Sequence, residues 1–347
     1  MIASSKMGRI FSVIFLILLL FIGGRPAALA EGARCPEVAE TRQLNILTVN
    51  ILFSEFEQLE GRLQALASFV ITRDIHVVLL QEVVGGLLAS HLAAELGNTK
   101  LNTNTARKLQ RILAEQYGSA YDLSLGFSNG LPGILGVYNA ILSRCEILGS
   151  LVRKLPRATE FDLEGHGIKL GRSVLVSQLD LPSVGTIDVY NTHLCSDCSS
   201  EDRFAQGDAL IRFLLFLEEI IPGQNPVILG GDFNTDLVDA DPKEQALYDM
   251  LTDGANLVDS YFQFTNPAAP VSCIRTAGGV LRPEGCTIGV SFVDDPFGTS
   301  APKRIDYLFT RGLQIAHSEV VFNPKVPGRE SQPSVSDHSG VLTSVMF

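Results

Sequence analysis

At 347 residues the chain is long for one domain, although two-sheet α/β enzymes reach this size as a single unit. Its formal charge of −11 repels polyanions at long range. That counts against tight nucleic-acid binding, but not against an enzyme that meets phosphate through a bound cation.

Residues 1–30 read as a secretory signal. Lys6 and Arg9 form a basic start, and Ile10–Ile22 is an apolar run interrupted only by Ser12. Gly23, Gly24 and Pro26 break it, and Ala28-Leu29-Ala30 makes a small-residue cleavage site before Glu31. An uncleaved anchor is the alternative, but the run is short for a bilayer span, which needs about 20 residues. A secreted or periplasmic location is therefore expected. Cleavage would remove Lys6, Arg9 and Arg25 and no acids, leaving a still more acidic chain that is expected to be soluble. Residues 31–43 read as an N-terminal extension, loose over 31–40, and 44–347 as one catalytic domain.

In chain order, Leu44–Leu52 (L-N-I-L-T-V-N-I-L) is the first strand and ends near Asn50. Glu57–Arg73 is an amphipathic helix, with Leu59, Leu63, Leu66 and Val70 on one face. Ile75–Leu80 is a buried strand with Gln81-Glu82 at its end; Leu87–Leu96 and Ala106–Tyr117 are helical. Asn139–Ser143 and Arg172–Leu179 read as neighbouring strands, and Thr186–Thr192 is a strand that delivers His193. Ser199 or Ser200 caps the next helix, which runs to about Ile220 and stops at Pro222-Gly223. Pro226–Asp236 (P-V-I-L-G-G-D-F-N-T-D) is a strand buried on both faces, then two glycines that let backbone approach closely, then Asp232 and Asn234. Asp241-Pro242-Lys243-Glu244 caps a further helix; Arg304–Phe309 and Ser339–Val345 are late strands, and 265–303 reads as a long functional loop region. Early strand–helix alternation followed by strand-rich segments fits one layered α/β domain.

Six cysteines remain past residue 30, an even number that suggests disulfides in an exported chain. Cys195–Cys198 and Cys273–Cys286 are the local pairs, which leaves Cys35 with Cys145; a buried free thiol is the alternative for Cys145. A zinc site from His193, Cys195 and Cys198 lacks a fourth ligand.

Six strand ends each carry a polar group: Asn50, Glu82, His193, Asp232 with Asn234, Asp306, and Asp337-His338. Polar groups just past buried strands converge on one sheet edge, where carboxylates and amides suit Mg²⁺, Mn²⁺ or Ca²⁺ better than zinc. Phosphoester hydrolysis is the chemistry such a site supports. His76, His91, His166 and His317 fit no such pattern and read as loop or surface residues, and Asp236, Asp239 and Asp241 as surface charge and helix cap.

The ordered set L-Q-E-V (80–83), N-A-I-L-S-R (139–144), N-T-H-L (191–194), G-D-F-N (231–234), R-I-D-Y-L-F (304–309) and S-D-H (336–338) resembles the endonuclease/exonuclease/phosphatase superfamily. That superfamily includes deoxyribonuclease I and the neutral sphingomyelinases. The resemblance implies a four-layer α/β/β/α sandwich. It implies Glu82, Asn50 and Asp337 at the metal, and Asp232 with Asn234 placing the water and the scissile phosphate. It also implies His193 and His338 at the phosphate or the moving proton, Asp306 orienting His338, and Arg172 at the rim against the phosphate.

For substrate, Thr235-Asp236 stands where inositol-polyphosphate 5-phosphatases carry Tyr-Arg, and an exported chain is misplaced for abasic-site repair. C-T-I-G-V-S-F-V-D-D-P-F (286–297) before R-I-D-Y resembles neutral sphingomyelinases, and an acidic surface suits a choline head group. A phospholipid phosphodiesterase with transient membrane-surface contact is therefore the first reading. Against it, the chain has no Trp to dip into a membrane, leaving Phe262, Phe264, Phe292 and Phe297. A secreted nuclease of the deoxyribonuclease I type is the alternative, and a non-catalytic binding module the third.

Overall fold

An apolar strand, a helix and a second apolar strand in succession close into a parallel pair, since the helix spans the crossover. This happens twice in the computed structural model of the chain. Strands β1 (Gln43–Asn50) and β2 (Val77–Gly85) are joined by α2 (Leu59–Thr72), after a short α1 (Pro36–Thr41). Strands β9 (Gly185–His193) and β10 (Val227–Asp232) are joined by α4 (Ser200–Ile220). The remaining elements are α3 (Thr105–Tyr117), β3 (Asp122–Leu131), β4 (Leu135–Ser143), β5 (Glu146–Lys154), the hairpin β6 (Thr159–Leu163) and β7 (His166–Leu170), and β8 (Ser173–Leu181). After β10 come α5 (Pro242–Asp249), β11 (Val258–Asp259), α6 (Ser260–Thr265), β12 (Asp306–Arg311), β13 (Gln314–Val321) and β14 (Gly340–Met346). The structure describes residues 35–52, 59–86, 104–131, 135–157, 159–163, 166–221, 223, 225–236, 241–265, 273, 283–290, 301–324, 331 and 335–347. The signal, the helix expected at 87–96, Phe292 and Phe297, and most of the 265–303 loop lie outside the described residues.

Antiparallel neighbours flank each parallel pair, giving two six-stranded mixed sheets in the orders β13-β14-β1-β2-β4-β3 and β11-β12-β10-β9-β8-β5. Alternate side chains then face opposite layers. Ile46, Leu79, Ile228 and Leu308 pack between the sheets. Leu47, Val49 and Leu80 pack outward on Leu63, Leu66 and Val70 of α2 and Leu109 and Leu113 of α3. Val227, Leu229 and Phe309 pack outward on Leu210, Leu214 and Leu217 of α4 and Leu247 of α5. This is the α/β/β/α sandwich, and it explains why the central strands are apolar runs with no polar face. Among the described residues no helix is long and apolar enough to cross a membrane.

Polar stitches cross the central layer, and among the described residues the one at β9 has the most bonds. Asn191 on β9 donates to the carbonyls of Leu80 (2.9 Å) and Ala140 (2.8 Å) in the other sheet, and accepts from Gln81 Nε2 at 2.7 Å. It sits beside a bulge in β2, where the pairing with β4 shifts between Leu80 and Val83. That bulge is also the main departure from the expected strand ends. β2 continues to Gly85, and Glu82 lies within it at φ 58°, a left-handed conformation that an ordinary residue adopts only at a cost.

All three expected cysteine pairs are formed: Cys35–Cys145, Cys195–Cys198 and Cys273–Cys286. The first changes the reading of the N-terminal extension. Residues 35–43 are not loose, because Cys35 is bonded to Cys145, Val38 is fully buried, and Arg42 donates from Nε to the Phe347 carbonyl and accepts the Phe347 N–H on its own carbonyl.

His76, expected at a loop or surface, is only 2% exposed. The Asn45 N–H donates to its Nδ1 at 3.0 Å, so that nitrogen must stay unprotonated. Burial first, and then the nearby Arg144 charge, push its pKa down to about 4. The unfolded chain, titrating near pH 6.5, therefore binds more protons than the folded one between those values. Stability is fully present above about pH 6.5 and declines as pH falls toward 4, by on the order of 2 kcal/mol from this group. Melting temperatures at pH 7 and pH 4.5 should drop less in His76→Gln than in the parent; equal drops would exclude His76 as the source.

Candidate active site

The C-terminal ends of the two parallel pairs and the N-terminal ends of their antiparallel neighbours share one edge of the sandwich. Register does the rest: Asp232 pairs with His193 on one side and with Asp306 on the other. His338 precedes β14, the antiparallel partner of β1, and so meets the same edge. The glycines before Asp232 make the approach possible. A Cβ on Gly230 would lie 2.6 Å from Leu79 Cδ1 in the facing sheet. Gly231 has φ +147°, and a Cβ there would lie 2.0 Å from the Thr192 carbonyl oxygen.

Asp232 is the hub. Its Oδ1 accepts the Asn234 N–H at 2.8 Å, and its Oδ2 accepts from Asn50 Nδ2 at 3.0 Å. Asn50 uses its second amide hydrogen on Glu82 Oε1 at 3.1 Å. Asn234 turns the chain at φ 48°, a conformation that Asn tolerates better than most residues. Its Nδ2 donates to the Leu194 carbonyl at 3.0 Å, which sets the amide's orientation, and faces His193 Nε2 at 3.0 Å.

The two histidines differ in charge. His193 is buried with Arg172 Nη1 3.1 Å from both ring nitrogens. Burial, then Arg172 and His338, hold its pKa well below the ordinary value, so it is neutral. His338 places Nδ1 2.9 Å from Asp306 Oδ2 and Nε2 3.9 Å from Asp232 Oδ2. Burial opposes its charge, but Asp306, Asp232 and Asp337 outweigh burial and raise its pKa well above the usual value. Asp232 moves the other way, pushed up to about 7 by burial and by Asp306.

Asp232, Asp306 and His338 each offer a donor atom within 4.8 Å of the others, all three buried. Asp306 Oδ1 is buried with no hydrogen-bond partner among the described residues. An unpartnered carboxylate oxygen beside a second buried carboxylate fits a divalent cation. Glu82 and Asp337, both expected at the metal, are not in this group; Asp337 accepts from Ser336 Oγ at 3.0 Å, and its charge reaches Arg62 and His338.

The Endonuclease/Exonuclease/phosphatase family matches residues 47–338. The chain belongs to this family. No curated protein sequence matches it. A family protein from Beutenbergia cavernae superimposes with TM-score 0.60 at 21% identity, over 88% of this chain and 72% of that one. A mannosyl-6-phosphatase from Bacteroides thetaiotaomicron gives 0.57 at 17%, over 88% and 100%. The D. rerio TDP2 complexed with single strand DNA product gives 0.56 at 17%, over 88% and 99%. At these identities the likeness is one of fold.

Within this endonuclease/exonuclease/phosphatase fold, three supporting residues escaped the sequence reading. Thr287 Oγ1 accepts the N–H groups of Ile305 (3.0 Å) and Asp306 (3.1 Å), fixing the backbone that presents Asp306. Arg304 is fully buried and pairs with both oxygens of Asp259 at 3.1 and 2.7 Å. Arg62 Nη1 donates to the Ile51 carbonyl at 2.9 Å and the Val335 carbonyl at 3.1 Å, tying the end of β1 to the turn before His338. Arg62 left a signal: it stands between Leu59, Leu63 and Leu66 on the apolar face of α2. A cation on such a face needs buried acceptors.

Proposed function

We propose that the chain is an exported phosphodiesterase dependent on a divalent ion, Mg²⁺ by its oxygen-rich donors, acting on a sphingomyelin-type phospholipid. The single observation that carries the chemistry is the buried Asp232–Asp306–His338 group facing neutral His193 and the Arg172 cation. Asp232 and Asp306 would hold the ion, with Glu82 and Asn50, joined to Asp232 by hydrogen bonds, beside it. Bound there, it would supply charge for the phosphate oxygens and the leaving group. Asp232 orients the attacking water and draws its proton, Asn234 and Arg172 hold the phosphate, and His338, kept charged and oriented by Asp306, donates to the developing charge. Export is supported by the leader-like residues 1–30 and by three disulfides. The lipid reading is supported by the acidic charge of −11, which favours a zwitterionic head group over a polyanion, and by the C-T-I-G stretch before R-I-D-Y.

Phosphorylcholine release from sphingomyelin vesicles should appear with Mg²⁺, vanish with EDTA and return on added Mg²⁺, with Mn²⁺ and Ca²⁺ as comparisons. Nicking of supercoiled DNA in place of lipid hydrolysis would install the nuclease reading. Hydrolysis of a small phosphomonoester alone would displace both. No turnover of any of the three would leave a binding module.

A further inference from the structure

The Cys195-Ser-Asp-Cys198 motif has no part in the chemistry above, yet it begins one residue after Leu194, the neighbour of His193. Its disulfide closes a four-residue loop that carries Ser196. Ser196 Oγ accepts from Arg172 Nη2 at 3.2 Å. Helix α4 clamps both ends of the loop. Gln206 Oε1 accepts the Cys195 N–H at 3.0 Å, and Arg203 Nη1 donates to the Cys198 carbonyl at 2.7 Å. Gln206 is itself fully buried and donates to the carbonyls of Pro156 and Arg157.

Arg172 depends on this loop. Its Nη1 rests on the His193 ring, its Nη2 on Ser196, and its Nε is buried without a partner among the described residues. A long cationic side chain loses much rotamer freedom when held in one pose, so each anchor matters to where the fork points. The disulfide contributes little to global stability by chain entropy, since it spans a sequence separation of 3 where Cys35–Cys145 spans 110. Its effect is local.

We infer that the Cys195–Cys198 disulfide is a positioning element for phosphate binding, holding Ser196 so that the Arg172 guanidinium is aimed at the substrate phosphate. This rests on the reading of Arg172 as a phosphate contact. Ser196 is thus a positioning residue and touches no reacting atom.

Calorimetric binding of inorganic phosphate to the full chain with Mg²⁺ tests it, alongside KM and kcat. Ser196→Ala and Cys195→Ser/Cys198→Ser should each weaken phosphate binding and raise KM by about 3- to 10-fold, the range of one hydrogen bond. Saturated kcat should stay unchanged in both variants and the melting temperature in Ser196→Ala, and Ser196→Thr should keep the parent's binding. In an Arg172→Ala background the same changes should have no further effect. An equal effect in that background, or none in either, overturns the proposal alone. Unchanged phosphate binding in Arg172→Ala removes the phosphate-contact reading and this proposal with it. If the double-cysteine variant does not fold, Ser196→Ala decides, because it removes one hydroxyl only.

Discussion

Asp232→Asn is expected to lower turnover by about 10²- to 10⁴-fold, the usual contribution of a positioned general base, with the urea midpoint almost unmoved. The buried carboxylate is strained before substitution, since burial and Asp306 already push its pKa up to about 7. An isosteric amide removes that repulsion. It forfeits one of the two hydrogen bonds from Asn50 and the Asn234 N–H, a loss of about 1 kcal/mol that the relieved repulsion offsets. Steady-state rates at saturating Mg²⁺ and urea denaturation on the same preparation check it. Turnover within tenfold of the parent would strip Asp232 of its assigned role.

Arg304→Met should be the most damaging single change to the fold, costing about 3–5 kcal/mol by leaving a buried carboxylate unpaired. Arg304 and Asp259 are both only 2% exposed at the side chain. Arg304 also lies over the Tyr307 ring at 4.5 Å. Asp259 accepts the Phe262 N–H at 3.2 Å and the Tyr248 hydroxyl at 3.3 Å, so the pair ties β11, α5 and α6 to the start of β12. Arg304→Met combined with Asp259→Leu should recover part of the loss, because the apolar pair carries no charge to desolvate, although the Phe262 N–H and the Tyr248 hydroxyl lose their acceptor. Denaturant unfolding of the singles and the double measures this, and a double variant as unstable as the sum of its singles would refute it.

The sandwich was legible because its central strands must be apolar on both faces, and Val227–Leu229 and Val77–Leu80 announce that directly. The site was legible because strand ends are where polar groups escape the core. Edge elements were not: β5 alternates exposed and half-buried residues over E-I-L-G-S-L-V-R-K, a pattern with no fully apolar face. The short hairpin β6–β7, T-E-F-D-L and H-G-I-K-L, likewise has no continuous apolar run in its sequence. The Glu82 bulge was invisible because it depends on β2 pairing with β4 across a long separation. His76 was misread for a related reason. What buries it is α1, held by the Cys35–Cys145 bond, and Arg144, brought in by the β2–β4 pairing, and neither is near it in sequence.

Strand β14 lies in the interior of its sheet, between β13 and β1, and His338 is carried in just ahead of it. The reactive edge is therefore completed by a pairing between widely separated parts of the chain, with Gln43 opposite Met346. A chain in which β14 has not docked on β1 has Asn50 and Glu82 in hand but lacks His338 beside Asp232. Assembly of the candidate site is thereby tied to closure of the whole sheet, so a partly folded chain does not present it.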